Sequence, residues 1–512
     1  MSLLGLDVGT TGTKAIVFSA EGEVLGEAYR EYPLLHPRPG WQESDPNQVW
    51  RAVVEAVREA VSKAGSKDPV KALACSVQGE AVTPIDREGR PLANSIVTFD
   101  NRTVPQAEWW ERELGRERIY EITGMPLHAM YTVNKIMWWR ENMPEVFERA
   151  WKFLCYEDFV LYKLGVEPTI DHSMAARTMG FDVRRRVWSE EILSRAGIPV
   201  EKLPQTAPSG TAIGRISDRA AEELGLPKGV VAATGGHDQP CGGLGAGVIE
   251  SGVCMDATGT VECLLPAFKE PVMGPELREG NLPCYPHVHP DLWVTIAFNF
   301  TGGSLLRWAR DELFPELAER GEAEGKSAYV LFDEMASSFG RPASILVLPH
   351  FTVTGTPHLD TKAKGAIVGL TLETSRAELL RALFEGVTYE MRLNLDVIER
   401  AGVEVTELRA IGGGAKSRLW LGIKANIFGK PIKTLAVSEA ACLGAALLAG
   451  VAVGEYRSLE EGVEATVKVV ETIEPDEKLR PAYEERYAIY RELYPRLKEV
   501  AHRLDDLRQR GA

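Results

Sequence analysis

Apolar side chains never run far enough in this sequence to cross a bilayer. The longest run, AACLGAALLAGVAV from Ala440 to Val453, is shorter than the roughly 20 residues a span requires. Its glycines and alanines predict a buried helix that neighbours can approach closely. Cysteine is scarce as well. Seven cysteines, an odd number with no C-x-x-C pair, argue against a disulfide framework or a structural zinc site and read as small buried residues in a reducing compartment. Positive charge is in deficit, with 58 Lys and Arg against 73 Asp and Glu for a net −15. That excludes the clustered cations of a nucleic-acid surface, so a phosphorylated ligand must be held by backbone N–H groups, a metal ion and a few placed side chains. The start is strand-like and lacks a basic segment ahead of an apolar one, so no signal peptide is expected and the compartment reads as cytoplasmic.

What is present predicts a folded α/β chain. With 45% hydrophobic and 26% charged residues and no polar low-complexity tract, all 512 residues should fold, and that length calls for two large domains. Strand-like runs at Leu3–Leu6 and Ala15–Phe18, then VLGEAYREY, make a three-stranded meander. Asp45 and Pro46 open a helix to Ala64, and VKALACSVQ reads as a buried strand ending at Gln78. A second passage, SGVCMDATGTVECLL from Ser251, repeats the strand-turn-strand theme. We place the boundary in the small-residue segment Gly245–Glu250, giving domains 1–247 and 248–512. Helical periodicity is read over Leu305–Leu317 and Arg376–Ala401, and the charged tail Pro475–Leu507 reads as a solvated helix.

Three glycine-bearing turns carry the chemistry. GTTGTKA from Gly9 is not a P-loop, because the motif is incomplete, Ala15 replaces Ser/Thr and a β-branched strand follows instead of a helix. It is a hairpin whose N–H groups and threonine hydroxyls can donate to phosphate, preceded by a carboxylate, Asp7, able to hold Mg²⁺. Gly259 and Thr260 would supply opposing donors from the second domain. AIGGGAKSRLW from Ala410 is a strand entering a triple-glycine turn, which lets backbone approach a ribose or a flat ring.

These residues resemble the FGGY carbohydrate kinases, which have two actin-like (ribonuclease H-like) ATPase domains with a cleft between them. DVGTTGTK is similar to the family's first phosphate loop, DATGT to its second and GGGAKS to its adenosine turn. PGWQESDP and the signature-like stretches Met130–Asn142 and Gly365–Glu385 extend the resemblance across nearly the whole chain. It implies a kinase that moves the γ-phosphate of ATP to a hydroxyl of a ketose or related polyol, most like the xylulokinases. Kinases of glycerol, erythritol or gluconate type remain alternatives, as does, more remotely, an actin-like chaperone or filament ATPase. The implied base is Asp238 in GGHDQ, with His237 beside it as a neutral hydrogen-bonding residue. Mg²⁺ would sit on Asp7 and Asp238, and ATP on Thr10, Thr11, Thr13, Lys14, Gly259, Thr260, Gly302, Gly413, Gly414, Ala415 and Ser417. Gln78, Gly79, Glu80, Asp100, Asp238 and Gln239 would meet the sugar. Gly79 lacks the side chain that fills the pocket in glycerol kinases, so room for a ligand larger than glycerol is expected. A homodimer is a family habit. The H-x-H at His287 and His289 could bind metal but lies in a Pro-rich loop without a third ligand nearby, and the Trp pairs at 109–110 and 138–139 read as packing residues.

Overall fold

The structure of the protein, a computed structural model, describes residues 2–65 and 67–510. The opening runs form an antiparallel meander of β1 (Ser2–Val8), β2 (Gly12–Ser19) and β3 (Val24–Glu31). Asp45 accepts the Asn47 N–H at 2.9 Å and Pro46 fills the first turn of α1 (Pro46–Ala64). That helix turns Val49, Val53, Ala56, Val57 and Ala60 onto β2 and β3. β4 (Val70–Val77) returns parallel to β1. β5 (Val231–Ala233) and β6 (Gly236–His237) pair in parallel with its other edge, and α2 (Asp238–Gly245) follows directly.

The second half repeats this plan. β7 (Val253–Thr258) and β8 (Glu262–Phe268) are antiparallel, with Ala297–Asn299 beside β8. After α3 (Arg376–Arg400), β9 (Glu407–Ile411) runs parallel to β7. α4 (Arg418–Phe428) then leads to β10 (Ile432–Leu435), parallel to β9. Each sheet closes on one antiparallel edge strand, Ala212–Arg215 on β5 and Val469–Ile473 on β10. The order from that edge strand inward, β5–β4–β1–β2 in one sheet and β10–β9–β7–β8 in the other, is the same, although the second sheet has eight strands against seven.

The small-residue run forms α5 (Ala440–Ala452), and it lies on the other half's sheet. A Cβ on Gly5 of β1 would stand 1.8 Å from the Cys442 carbonyl oxygen, and one on Gly444 would stand 1.9 Å from that of Cys241 in α2. Only glycine permits these backbone contacts, which seat α2 and α5 against each other. Around them Leu3, Ile16, Ala72, Leu244 and Leu443 form a core separate from the main one.

Two helical expectations are corrected. The 305–317 periodicity is broken: a helix over Gly303–Trp308 widens through Ala309–Leu313, and Pro315 starts a new one. The tail helix α6 (Arg480–Arg510) is solvated on one face only. Tyr483, Tyr487 and Tyr490 share the other face and are buried against α3, where the Tyr487 hydroxyl donates to Asp396 at 2.6 Å. All seven cysteines are free and buried. Among the described residues no helix is long and apolar enough to cross a membrane.

Candidate active site

β1, β4 and β6 run in parallel, so their C-terminal ends open side by side. In register, Ser76 lies between Asp7 and Gly236, and Val77 between Val8 and His237. With neighbouring strands about 4.8 Å apart, Asp7 and Asp238 face one crevice across roughly 10 Å of backbone. The Ser76 hydroxyl donates to Asp7 at 2.9 Å. Burial, only partly offset by that bond, pushes the Asp7 carboxyl up to about 6, with Glu439 adding to the rise and Lys14 opposing it. Asp238 opens α2 without being its cap residue. Burial first, then the charges of Asp7 and Glu80, push its carboxyl up to about 7. His237 bridges Asp238 and Tyr285, each at 3.1 Å, through its two ring nitrogens. Burial and nearby Arg177 hold the His237 imidazole neutral, so the Tyr285 hydroxyl donates to Nδ1 while Nε2–H donates to Asp238.

Glu80 is no solvated surface residue. It is 2% exposed, sits at φ 61°, and pairs with the Arg177 guanidinium. Lys135 Nζ and the Thr132 hydroxyl hold its carbonyl at 2.8 and 3.0 Å, and the Thr98 hydroxyl donates to its carboxylate at 3.0 Å. The room left by Gly79 is bounded: a Cβ there would lie 3.0 Å from His237 Nε2 and 3.6 Å from Arg177 Nε. The Gln239 side-chain oxygen is buried and has no hydrogen-bond partner.

On the facing half, Thr258, Gly259, Thr260, Gly413, Gly414 and Ser417 converge on a pocket of about 510 Å³. The Gly302 N–H donates to the Thr260 carbonyl at 3.2 Å, so Gly302 braces the turn while its neighbours Gly303 and Ser304 line the pocket. A Cβ on Gly414 would meet the Thr258 Cβ at 2.5 Å, which is why the third turn can lie flat on the second. Ala415 packs on the core behind them. Ser417 donates to Asp333 at 2.8 Å, and Asp333, Arg307 and Tyr329 complete a lining that sequence reasoning missed. These flat, glycine-built walls fit a nucleoside and its phosphates, and a pair of crevice carboxylates fits Mg²⁺, which takes one or two carboxylates along with phosphate oxygens.

Several expected contacts are otherwise engaged. Asp100 is a buried structural carboxylate. Both its oxygens are filled, by the Arg102 guanidinium and by the Gln42 and Arg102 N–H groups at 2.6 and 2.8 Å, which leaves none for a sugar. Arg102 in turn lies 3.8 Å over the Trp41 ring. Gln78 braces the first phosphate turn, donating to the Gly9 carbonyl at 3.1 Å and accepting from the Thr10 hydroxyl at 3.2 Å. Thr10 and Thr11 remain at the hairpin tip, but the Thr13 hydroxyl is turned into the core, 3.3 Å from Tyr32. Lys14 meets Glu439 of the other half at 2.7 Å. The tryptophans pack, Trp41 on Trp138 and Trp139 on Phe153. His289 pairs with Glu460 at 2.9 Å, and no group of three or more metal-ligating side chains occurs among the described residues.

Two like-built lobes, one ending in crevice carboxylates and the other in glycine turns around a nucleotide-sized pocket, define a phosphotransferase of the actin-like ATPase fold. Models of the FGGY family of carbohydrate kinases match here, the N-terminal domain at residues 2–245 and the C-terminal domain at 255–453. A xylulose kinase of Staphylococcus epidermidis is 29% identical over 97% of this chain and 97% of its own. A glycerol kinase of Thermococcus gammatolerans is 31% identical over 93% of this chain and 94% of its own. The crystal structure of ligand-bound xylulose kinase from Lactobacillus acidophilus superposes with a TM-score of 0.88 at 26% identity, over 97% of this chain and 98% of that one. The chain belongs to the FGGY family of carbohydrate kinases and is an ATP-dependent sugar kinase.

Proposed function

We propose that the protein phosphorylates a ketose or closely related polyol, with chemistry nearest to that of xylulose kinases. The observation that carries this reading is the cluster of half-buried Asp238 with buried His237, Glu80 and Arg177 at strand ends beside Asp7. In-line phosphoryl transfer asks for a base, charge neutralisation and positioning. Asp238 takes the proton of the attacking hydroxyl, and its proton affinity near neutrality suits that task. His237 holds the carboxylate toward the crevice through Nε2–H. Thr10, Thr11, Gly259 and Thr260 supply donors to phosphate oxygens, and Gly413, Gly414 and Ser417 line the nucleoside end. Asp7 and Asp238 would hold Mg²⁺, which neutralises phosphate charge when bound. Because the phosphate donors are split between the two lobes while the base lies on one, the lobes close on the sugar and exclude water.

A second reading, a polyol kinase of the glycerol type, is favoured by Gln239, which matches glycerol kinases where xylulokinases have asparagine. Coupled ADP detection over pentuloses, hexuloses, polyols and aldonates separates the two. A ketose should give the highest kcat/KM, above glycerol by more than about tenfold, because a site built to hydrogen-bond hydroxyls discriminates strongly against an analogue that lacks them. Glycerol as the best substrate would overturn the first reading, and ATP hydrolysis at equal rates with and without sugar would overturn the closure step.

A further inference from the structure

Among the described residues Arg177 and Lys135 are the buried basic side chains that touch Glu80, and Arg177 is the one next to Gly79 and His237. It ends the short helix His172–Arg177 and is 7% exposed. Tyr131 and Tyr285 flank its guanidinium, their ring centres 5.5 and 5.7 Å away. Glu80 takes one Nη group, and otherwise the terminal nitrogens reach only the sulfurs of Met125 and Met130, at 3.7 and 3.8 Å. Its Nε–H is buried and has no hydrogen-bond partner. A buried, unpartnered donor on a charged group is costly to leave unmet, so it calls for an occupant. Its neighbours identify the place. A Cβ on residue 79 would stand 3.6 Å from Nε and 3.0 Å from His237 Nε2, which lies 3.1 Å from the Asp238 carboxylate. An oxygen resting against the bare Cα of Gly79 could accept from Arg177 beside His237, which itself bonds the base.

Building on the kinase reading, we propose that Arg177 reads a substrate hydroxyl through Nε–H at the place Gly79 leaves open. We propose further that its pairing with Glu80 confines the site to uncharged ketoses and polyols. The second half follows from charge. Glu80 already neutralises the guanidinium, and the Asp7 and Asp238 carboxylates stand at neighbouring strand ends of the same crevice. A carboxylated sugar would add another negative charge to a site whose arginine is already paired and whose neighbouring cation, Lys135, is held on the Glu80 carbonyl. A hydroxyl adds none, and it can accept from Nε–H while donating to a carboxylate.

The test measures steady-state kinetics and calorimetric binding of ketoses, polyols and aldonates with the wild type and with Arg177→Lys, Gly79→Ala and Glu80→Gln. Arg177→Lys keeps the charge and removes the Nε–H. It should raise KM for the best neutral substrate by about tenfold with kcat nearly unchanged and ATP KM unchanged, as expected for one lost bond to a charged donor. Gly79→Ala fills the position and should raise the same KM at least as much. Glu80→Gln frees the guanidinium charge and should shift the aldonate-to-neutral ratio of kcat/KM upward by about tenfold or more. An unchanged sugar KM in both Arg177→Lys and Gly79→Ala, with thermal unfolding and ATP binding intact, overturns the role of Arg177. A wild type that prefers an aldonate overturns the confinement to neutral substrates. Sugar binding without any ADP release would instead contradict the kinase reading, and the calorimetric affinities of the variants would still decide the role of Arg177.

Discussion

Asp7 and Asp256 stand at matching places in the two halves, each in a central strand two or three residues before a Gly-Thr turn, yet they meet opposite surroundings. Asp256 is fully buried, and Lys424 Nζ reaches its two oxygens at 2.9 and 2.7 Å while also lying 2.9 Å from Glu262 and 2.6 Å from the Thr258 hydroxyl. Asp7 has one hydroxyl donor, Ser76, and the nearby cation Lys14 is drawn off to Glu439. Crowding on the Lys424 side pushes the Glu262 carboxyl up to about 8, burial first and Asp256 adding to it against the pull of Lys424. One half therefore satisfies its carboxylate to fix a nucleotide turn, and the other leaves its carboxylate unsatisfied toward a crevice. Duplicated geometry diverges through what the neighbouring helix or strand offers, a lysine in one half and a serine in the other.

The comparison breaks if the two aspartates respond alike to substitution. The largest effect should come from the crevice side: Asp238→Asn lowers turnover by about 10²- to 10⁴-fold, the usual worth of a positioned base, while calorimetric ATP binding stays near the wild-type value. Asp7→Asn should also abolish most turnover, yet its melting midpoint should rise, because a desolvated carboxylate facing Asp238 and Glu439 is removed. The buried triad should behave the other way. Lys424→Met strands two carboxylates without their cation, so unfolding by denaturant should show a loss of about 3–5 kcal/mol. A Lys424→Met protein as stable as the wild type but inactive would make Lys424 a functional cation and end the contrast.

Local signals carried most of the site into the sequence. Glycines beside threonines marked the turns because hairpin tips and flat backbone contacts are decided within a few residues. Asp238 could be read because a glycine pair and a strand end frame it. Asp100 could not be read correctly, since a carboxylate in a loop looks the same whether or not an arginine two residues on will saturate it. Arg177 lay in an ordinary helical stretch, and its partner Glu80 sits on a distant strand end, so nothing local linked them. Gln78 was placed at the right strand end, but the turn it braces was invisible without the β1–β4 register. The tail tyrosines at i, i+4 and i+7 did carry a helical stripe, which the dense charge around them masked.

The smallest expected effect asks whether the nucleotide half is only a glycine scaffold. Asp333 lines its pocket, accepts from Ser417 at 2.8 Å, and has its carboxyl pushed up to about 6 by burial against the pull of that bond. As a charged acceptor toward the nucleoside it should contribute about tenfold in ATP affinity, so Asp333→Asn should raise ATP KM by that factor and leave sugar KM unchanged. Its charge is lost as pH falls through about 6, so wild-type ATP KM should climb below that pH while Asp333→Asn stays flat. Stability moves in the opposite sense. A carboxyl whose folded value lies above its ordinary 3.8 favours folding only while protonated, and that contribution disappears as pH rises through about 6. Asp333→Asn should therefore melt slightly higher than the wild type at neutral pH and equally at pH below 4. A variant with unchanged ATP KM across the whole range would leave nucleotide recognition to the backbone turns alone and sharpen the division of labour between the two halves.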